Sequence, residues 1–513
     1  MQTLHQTSYE NEIQQMQQHN YFEQIVECLE YLMGNYYKTD NKVQLTKDGT
    51  LKYIKDGEII RIDRIFDQTK ELSILTNLEQ IKHLVWDGEF NQKYQRIGKW
   101  RVFWKDQVFN AGGSYDENGR KEGRWIELFE NFWENGQVTF SGEYKNNKRN
   151  GRWNFSFQDK TIGGGIYDEN GEKTGLWIEL DNGFSCLSQI TYHGIYDNGI
   201  KQGQWITKFK GQEIGENLKL FIVENIMKAK DVNNGTSCLE KNSSGGGMYI
   251  NGVQDGMWKE VNESFQNDCK IFFVGQFEYG KKIGRWNVIF LNTIIGGGDY
   301  DNQGMKTGRW IDLNNNFFSY SQLIFTGQYI SGKRIEKWEI LCRFDPQKEF
   351  ESIGSGQYDQ KGIKYDVWIE PIEHIWNLAQ IIYQGQYQNN GQKFGRWDIL
   401  YNEENSEKFQ LIGGGCYDEN GLKSGEWAEV DSKFSYSCQV IQKGQYLKGR
   451  KVERWNYHFW EKIIGGGLYN EDGQKNGQWI DLDENFSYIR QLVWVGVYNN
   501  GFRIGQFKEC NLQ

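Results

Sequence analysis

Proline is nearly absent from this chain. Pro346 and Pro371 are the only two in 513 residues, which leaves little room for disordered linker. Paired cysteines are absent as well: Cys28, Cys186, Cys238, Cys269, Cys342, Cys416, Cys438 and Cys510 show no CxxC spacing. They read as free, half-buried thiols of a reducing compartment rather than a disulfide framework. A basic excess is missing too, and the formal charge of −10 argues against general nucleic-acid binding. No apolar run is long enough to span a bilayer, and the opening MQTLHQTSYENEI has no signal-peptide core, so the expectation is a soluble, cytoplasmic protein. The six histidines, His5, His19, His83, His193, His374 and His458, form no HExxH pattern, and no GxSxG elbow occurs. No catalytic residue, metal ligand or cofactor is therefore assigned. The chain is read as a non-enzyme, although the abundance of Asp and Glu leaves a carboxylate pair open.

Glycine and aromatic residues are plentiful, with 60 glycines and 15% Phe, Trp and Tyr. They are organised by repetition, the first thing to seek in a chain too long for one core. The stretch GGGIYDENGEKTGLWIEL, Gly163 to Leu180, has relatives beginning at Gly112, Gly245, Gly296, Gly354, Gly413 and Gly465, seven copies in all. Between them alternate eight sister units of form GxY…K/RxGxW, the whole series running from Trp86 to Phe507. The recurring aromatic, glycine and tryptophan are Tyr115, Gly123, Trp125; Tyr144, Gly151, Trp153; Tyr167, Gly175, Trp177; Tyr196, Gly203, Trp205; and Tyr249, Gly256, Trp258. They continue as Phe277, Gly284, Trp286; Tyr300, Gly308, Trp310; Tyr387, Gly395, Trp397; Tyr417, Gly425, Trp427; and Tyr469, Gly477, Trp479. These are structural repeat positions.

Asn-Gly or Asp-Gly often sits between the aromatic and the tryptophan, as at Asn118-Gly119, Asn198-Gly199, Asn251-Gly252, Asp472-Gly473 and Asn500-Gly501. That pair predicts a hairpin with a type I′ turn, in which both central residues need positive φ. From the Trp of each GGG unit to the aromatic of its sister the spacing is always nineteen, as in Trp125 to Tyr144. The return connection varies, from fourteen (Trp153 to Tyr167) to forty-four (Trp205 to Tyr249). In a meander of hairpins the Asn-Gly turns share one rim and the variable loops the other. That second rim is the candidate partner surface, with neutral drift of surface loops an equal alternative.

Strand alternation puts Lys, Gly, Trp and acid of KxGxWxE on one face, so an indole can lie flat over backbone that carries no side chain. A phosphate loop would need glycines entering a helix, whereas here they run into Tyr, a turn and another strand. A calcium loop fails because Ser114 and Trp125 would fall where carboxylates are required. The Lys/Arg column, with Arg96, Lys121, Arg149, Lys173, Lys201 and Lys282 among its members, could meet anionic lipid headgroups. Glu127, Glu179, Glu260, Asp312, Glu370, Glu429 and Asp481 share its face, which favours a self-neutralised surface. A Trp-lined glycan groove is a further alternative, disfavoured because the tryptophans recur at a structural position.

The motifs YDENGxKxGxW and GxYxxGxxxGxW resemble MORN repeats, in a variant with Trp after the last Gly, from about Trp86 to Phe507. The resemblance implies a mainly β, elongated ribbon of antiparallel hairpins that serves as a protein-interaction scaffold in cytoskeletal, ciliary or membrane-associated assemblies. Lipid binding is attributed to some members, and carries over poorly because Trp stands where the commoner repeat has glycine. Glu336, Asp366 and Glu453 replace the pre-Trp Gly, which predicts bends or weaker units, and Phe507 replaces the final Trp as expected of a cap.

Residues 1–82 lack the repeat and read as a helical or mixed cap. Thr7 to Glu10 has capping-box spacing ahead of Ile13, Met16, Phe22, Ile25, Leu29 and Leu32, which predicts a helix or helix pair that covers the first repeat, the favoured reading, or recruits a partner by coiled-coil contact. Leu51 to Ile62 reads as a hairpin about Asp56-Gly57, and residues 83–513 as the fifteen repeat units. The insert at 206–244, containing LKLFIVENIMKAK, is expected to dock or form a short helix. The runner-up to the scaffold reading is a peripheral membrane module that binds acidic phospholipids through the Lys/Arg column.

Overall fold

The computed structural model describes residues 21–32, 35–65, 74–213, 245–262, 265–266, 269–317, 319, 321–372, 380–403 and 409–512. The chain separates into two compact units. One holds His83–Ser319 with Ile324–Lys333; the other holds Met1–Lys82, Tyr320–Leu323 and Arg334–Gln513. In the first, strands follow in sequence order from Leu84–Phe90 to Lys306–Leu313, each antiparallel to its neighbours. The second repeats this from Glu351–Tyr358 to Phe502–Asn511. It also carries a four-stranded sheet, Tyr21–Leu32, Asn35–Thr46, Thr50–Lys55 and Glu58–Arg64, and most of the helix Leu78–His83. The architecture is thus the hairpin repeat read from the sequence, with a mixed N-terminal region.

Two kinds of turn build the hairpins. Most sister units use the type I′ turn, as with positive φ at both Asn198 (46°) and Gly199 (78°); the turns at Asn91 and Gln388 instead have one positive-φ residue each, Tyr94 (57°) and Gly391 (82°). Most GGG units do not use the type I′ turn. At Asn118-Gly119 only the glycine has positive φ (75°), and the Asp116 carboxylate accepts the N–H groups of Asn118 (2.9 Å) and Arg120 (2.8 Å). The same carboxylate clamp recurs at Asp168, Asp301, Asp359 and Asp418. The type I′ expectation for these units is therefore corrected: the Asp before the turn closes a longer loop and leaves left-handed geometry to glycine alone.

The GGG tract lies where the ladder slips on both sides. Against the preceding strand the register shifts between Phe155 and Ser156, and against the following strand between Gly164 and Ile166. Each glycine answers a different demand. A Cβ on Gly163 would fall 2.7 Å from the Ile178 carbonyl oxygen, and one on Gly164 (φ 117°) 2.1 Å from that of Trp153. A Cβ on Gly165 would fall 2.2 Å from the Trp177 ring.

The glycine two residues before each tryptophan has another reason. Gly123, Gly151 and Gly175 have φ of 67–68° with open space where a Cβ would stand, so left-handed geometry alone selects glycine. Glu336 (φ 59°), Asp366 (φ 62°) and Glu453 (φ 59°) hold the same conformation. The expected bends do not form: Glu336 still pairs with Tyr358 as Gly123 does with Tyr144, and the substitution is absorbed as backbone strain.

The N-terminal expectation also changes. Tyr21–Leu32 is a strand paired along its length with Asn35–Thr46, not the second half of a helix; residues 1–20 lie outside the described residues. Cys28 is fully buried and Val26 packs on the same cluster, so alternation, which this Ile- and Val-bearing run also satisfies, prevails over the helical period. The Leu51–Ile62 hairpin forms about Asp56 (φ 49°) and Gly57 (φ 79°). Cys28, Val43, Leu45, Leu51, Tyr53 and Ile81 give this region its own core. The insert enters as strand to Phe209 with the short Gln212–Glu213 behind it, while LKLFIVENIMKAK lies outside the described residues.

Candidate functional site

The face bearing the tryptophans concentrates nearly all the recurring chemistry. Cross-strand pairing sets each Trp opposite a glycine, as in Trp125↔Gly142, Trp153↔Gly165 and Trp177↔Gly194. The ring lies over the glycine of its other neighbouring strand: Trp125 over Gly113, Trp153 over Gly142, Trp310 over Gly298. In most repeats the indole N–H donates to the carbonyl beside that glycine, Trp125 to Ser114 (3.1 Å) and Trp310 to Asp299 (3.0 Å), whereas Trp100 and Trp258 donate to Ile97 and Asp255 of their own strands. The tryptophans closing the repeats, from Trp100 to Trp479, are between 0 and 6% exposed.

Tyrosines fill the gaps edge-on. Within the first unit the series Tyr115, Trp125, Tyr144, Trp153, Tyr167, Trp177 alternates at ring separations of 4.9–6.2 Å. Tyr144, Tyr167, Tyr196, Tyr387 and Tyr469 are buried; Tyr115, Tyr249, Tyr300 and Tyr417 are half-buried. Phe277 takes the same place next to Trp286. Edge-to-face pairs of this kind add about 0.5–1.5 kcal/mol each beyond the area they bury.

Above the rings lies a ladder of ion pairs. Glu127 meets Lys121 of its own strand and Arg149 (2.7 Å) of the next hairpin, and accepts the Tyr144 hydroxyl at 2.9 Å. Glu179 repeats this with Lys173, Lys201 (2.8 Å) and Tyr196 (2.7 Å), and Glu370 with Lys364 (2.7 Å), Lys393 (2.8 Å) and Tyr387 (3.1 Å). Glu429 lies between Lys423 and Lys451. Lys306 pairs with Asp312 (2.5 Å), and Lys475 with Asp481 (2.7 Å). The cations also cover the indoles, Lys201 at 4.1 Å and Lys393 at 4.0 Å from ring centroids.

Burial alone would raise the Glu429 carboxyl. The two lysines override it and hold it at about 2. Glu127, Glu179 and Glu370 are likewise lowered, against burial, by their paired cations. Burial, reinforced by Glu127, pushes the Tyr144 hydroxyl up to about 12. These are the shifts of carboxylates neutralised by their own paired cations.

One recurring element escaped the sequence reading. Phe132, Phe184, Phe265, Phe317, Phe434 and Phe486, each seven residues after a Trp, are between 0 and 7% exposed in the loops of the far rim. Asp181, Asp431 and Asp483 fold those loops by accepting the N–H two residues on, at 2.8–3.0 Å. The invariant nineteen-residue spacing was the available signal: a loop of fixed length is an ordered one.

Among the described residues no three His, Cys, Asp or Glu side chains gather as a metal site, and no helix is long and apolar enough to cross a membrane. No protein-family model matches the chain, and no curated protein does. Among solved structures the chain aligns with "NanB plus Optactamide" over 95% of its length and 85% of that chain, at 9% identity and a TM-score of 0.14, a likeness that carries no argument.

Proposed function

We propose that this protein is a non-enzymatic repeat scaffold of MORN type that works through protein–protein contacts, in a cytoskeletal, ciliary or membrane-associated assembly. The observation that carries the reading is how the recurring side chains are used. Tryptophans pack on glycine, tyrosines fill the seams, and cations bond the chain's own carboxylates. Little of that face is left for a ligand, so recognition falls to the turns and to the loop rim whose lengths vary.

The lipid reading loses weight on the same ground. A phosphate would have to displace carboxylates already bonded to Lys173, Lys201, Lys364 and Lys393. Flotation with vesicles containing a tenth phosphoinositide decides between the readings. The scaffold account expects the protein to stay at the bottom even in low salt, and salt-sensitive flotation abolished by Lys201→Glu contradicts it. Affinity capture from the native cell should recover defined protein partners with the intact chain and lose them when residues 214–244 are deleted. Identical partners in both would remove the variable rim from the account.

A further inference from the structure

The last hairpins of the terminal unit are occupied by the chain's own N-terminal region. The turn Asp56-Gly57-Glu58 sits on them. The Lys475 N–H donates to the Gly57 carbonyl (2.9 Å), the Ile59 N–H to the Gly501 carbonyl (2.9 Å), and the Tyr469 hydroxyl to the Asp56 carbonyl (3.3 Å). The Glu58 carboxylate lies 2.8 Å from Arg503 and 3.0 Å from the Tyr498 hydroxyl. Glu23–Arg450 (3.8 Å) and Lys82–Glu484 (3.3 Å) add two looser ion pairs.

Three features mark this contact as exchangeable rather than as part of a core. First, the two sides have separate apolar clusters: Cys28, Val43, Leu51 and Tyr53 on one, Trp455, Tyr469, Trp479 and Tyr498 on the other. Second, the bonds that join them are three neutral hydrogen bonds and a few ion pairs with partly exposed partners, and the ion pairs are weakened by salt. Third, Arg503 has an alternative partner. In earlier repeats the equivalent cation bonds the acid of the preceding hairpin, Arg149 to Glu127, Lys201 to Glu179, Lys451 to Glu429. Arg503 instead turns to Glu58, while Asp481, the acid at that repeat position, keeps Lys475 and Tyr498. Release of the turn lets Arg503 revert to the arrangement of its relatives, so undocking leaves no stranded charge.

We infer that Tyr469, Lys475, Tyr498 and Arg503 form an acceptor for an acidic, glycine-containing β-turn, held shut by Asp56–Glu58 until a partner protein presenting such a turn replaces it. This rests on the scaffold reading and names the kind of partner. Gly57 supplies a clean test. A Cβ there would fall 2.6 Å from the Tyr469 ring and 2.7 Å from the Gly473 carbonyl oxygen, while asparagine tolerates φ near 79°. Gly57→Asn should therefore undock the hairpin without unfolding it.

The experiment uses the full chain. Hydrogen exchange followed by mass spectrometry should show the segments around Lys475 and Ile59 exchanging at least about tenfold faster in Gly57→Asn than in the unsubstituted protein, with the segment around Val43 unchanged. A fluorescent peptide of residues 51–62, cyclised through added terminal cysteines, should bind Gly57→Asn saturably and the unsubstituted protein hardly at all. Adding Arg503→Glu to Gly57→Asn should abolish that binding. Unchanged exchange, a peptide that fails to bind the undocked protein, or binding indifferent to Arg503 would each overturn the proposal. None of these readouts needs a cellular partner, so failure here is distinct from failure of the scaffold reading, which the cell capture tests.

Discussion

At the scale of the residue, two of the jobs glycine has here look alike in sequence, and the pattern alone does not divide them. Gly298 must lack a side chain because Trp310 occupies the space; Gly308 must reach φ of 69° with nothing near it. Only the first job was legible from strand alternation. The second depends on the register slip, which no single residue announces. Glu336, Asp366 and Glu453 hold that second position without a glycine's freedom, and left-handed geometry costs a side-chain-bearing residue roughly 1–2 kcal/mol. Replacing each by glycine should therefore stabilise the protein by about 1 kcal/mol, read as a rise in the denaturation midpoint. Asp366→Gly that lowers the midpoint would show that the acid has a compensating bond.

At the scale of the element, the hairpins were readable and their turns only in part. Asn-Gly was rightly a turn signal, but the Asp two residues earlier decided which turn, as at Asp116 and Asp418. The N-terminal strand was misjudged because Ile25, Val26, Cys28 and Leu29 satisfy both periods over a short run, and pairing with Asn35–Thr46 settled it. The fixed loops carry a testable element of their own. Phe434 is 7% exposed, packed among Ile381, Ile399 and Tyr401, so Phe434→Ala should cost about 3–5 kcal/mol in urea unfolding. A loss under about 1 kcal/mol would mean that the loop is ornament and not core.

At the scale of the whole molecule, stability should follow the ion-pair ladder in acid. Glu127, Glu179, Glu370 and Glu429 all titrate lower when folded than the usual carboxylate value of 4.5. A group whose folded pKa is depressed stabilises the fold above its unfolded pKa, and that contribution fades as pH falls toward the folded value. The thermal midpoint should therefore drop between pH 4.5 and about 2, the folded value of Glu429, with a shallower drop in Glu429→Gln. A midpoint flat across that window would deny the ladder any role in stability. What the sequence could not supply at this scale is where the N-terminal hairpin goes. Nothing in LKYIKDGEIIRI names Tyr469 or Arg503 as its neighbours, more than four hundred residues away in the chain.

The central claim is that the hairpin strands are held together by indoles resting on glycine backbone, and a double-mutant cycle at Gly298 and Trp310 tests it most directly. With Trp310 in place, Gly298→Ala should cost about 2–3 kcal/mol, because the new methyl meets the ring. In a Trp310→Val background the same change should cost almost nothing, giving a coupling of about 2 kcal/mol or more. Equal costs in the two backgrounds would mean that the ring does not rest on that glycine, and would contradict the account.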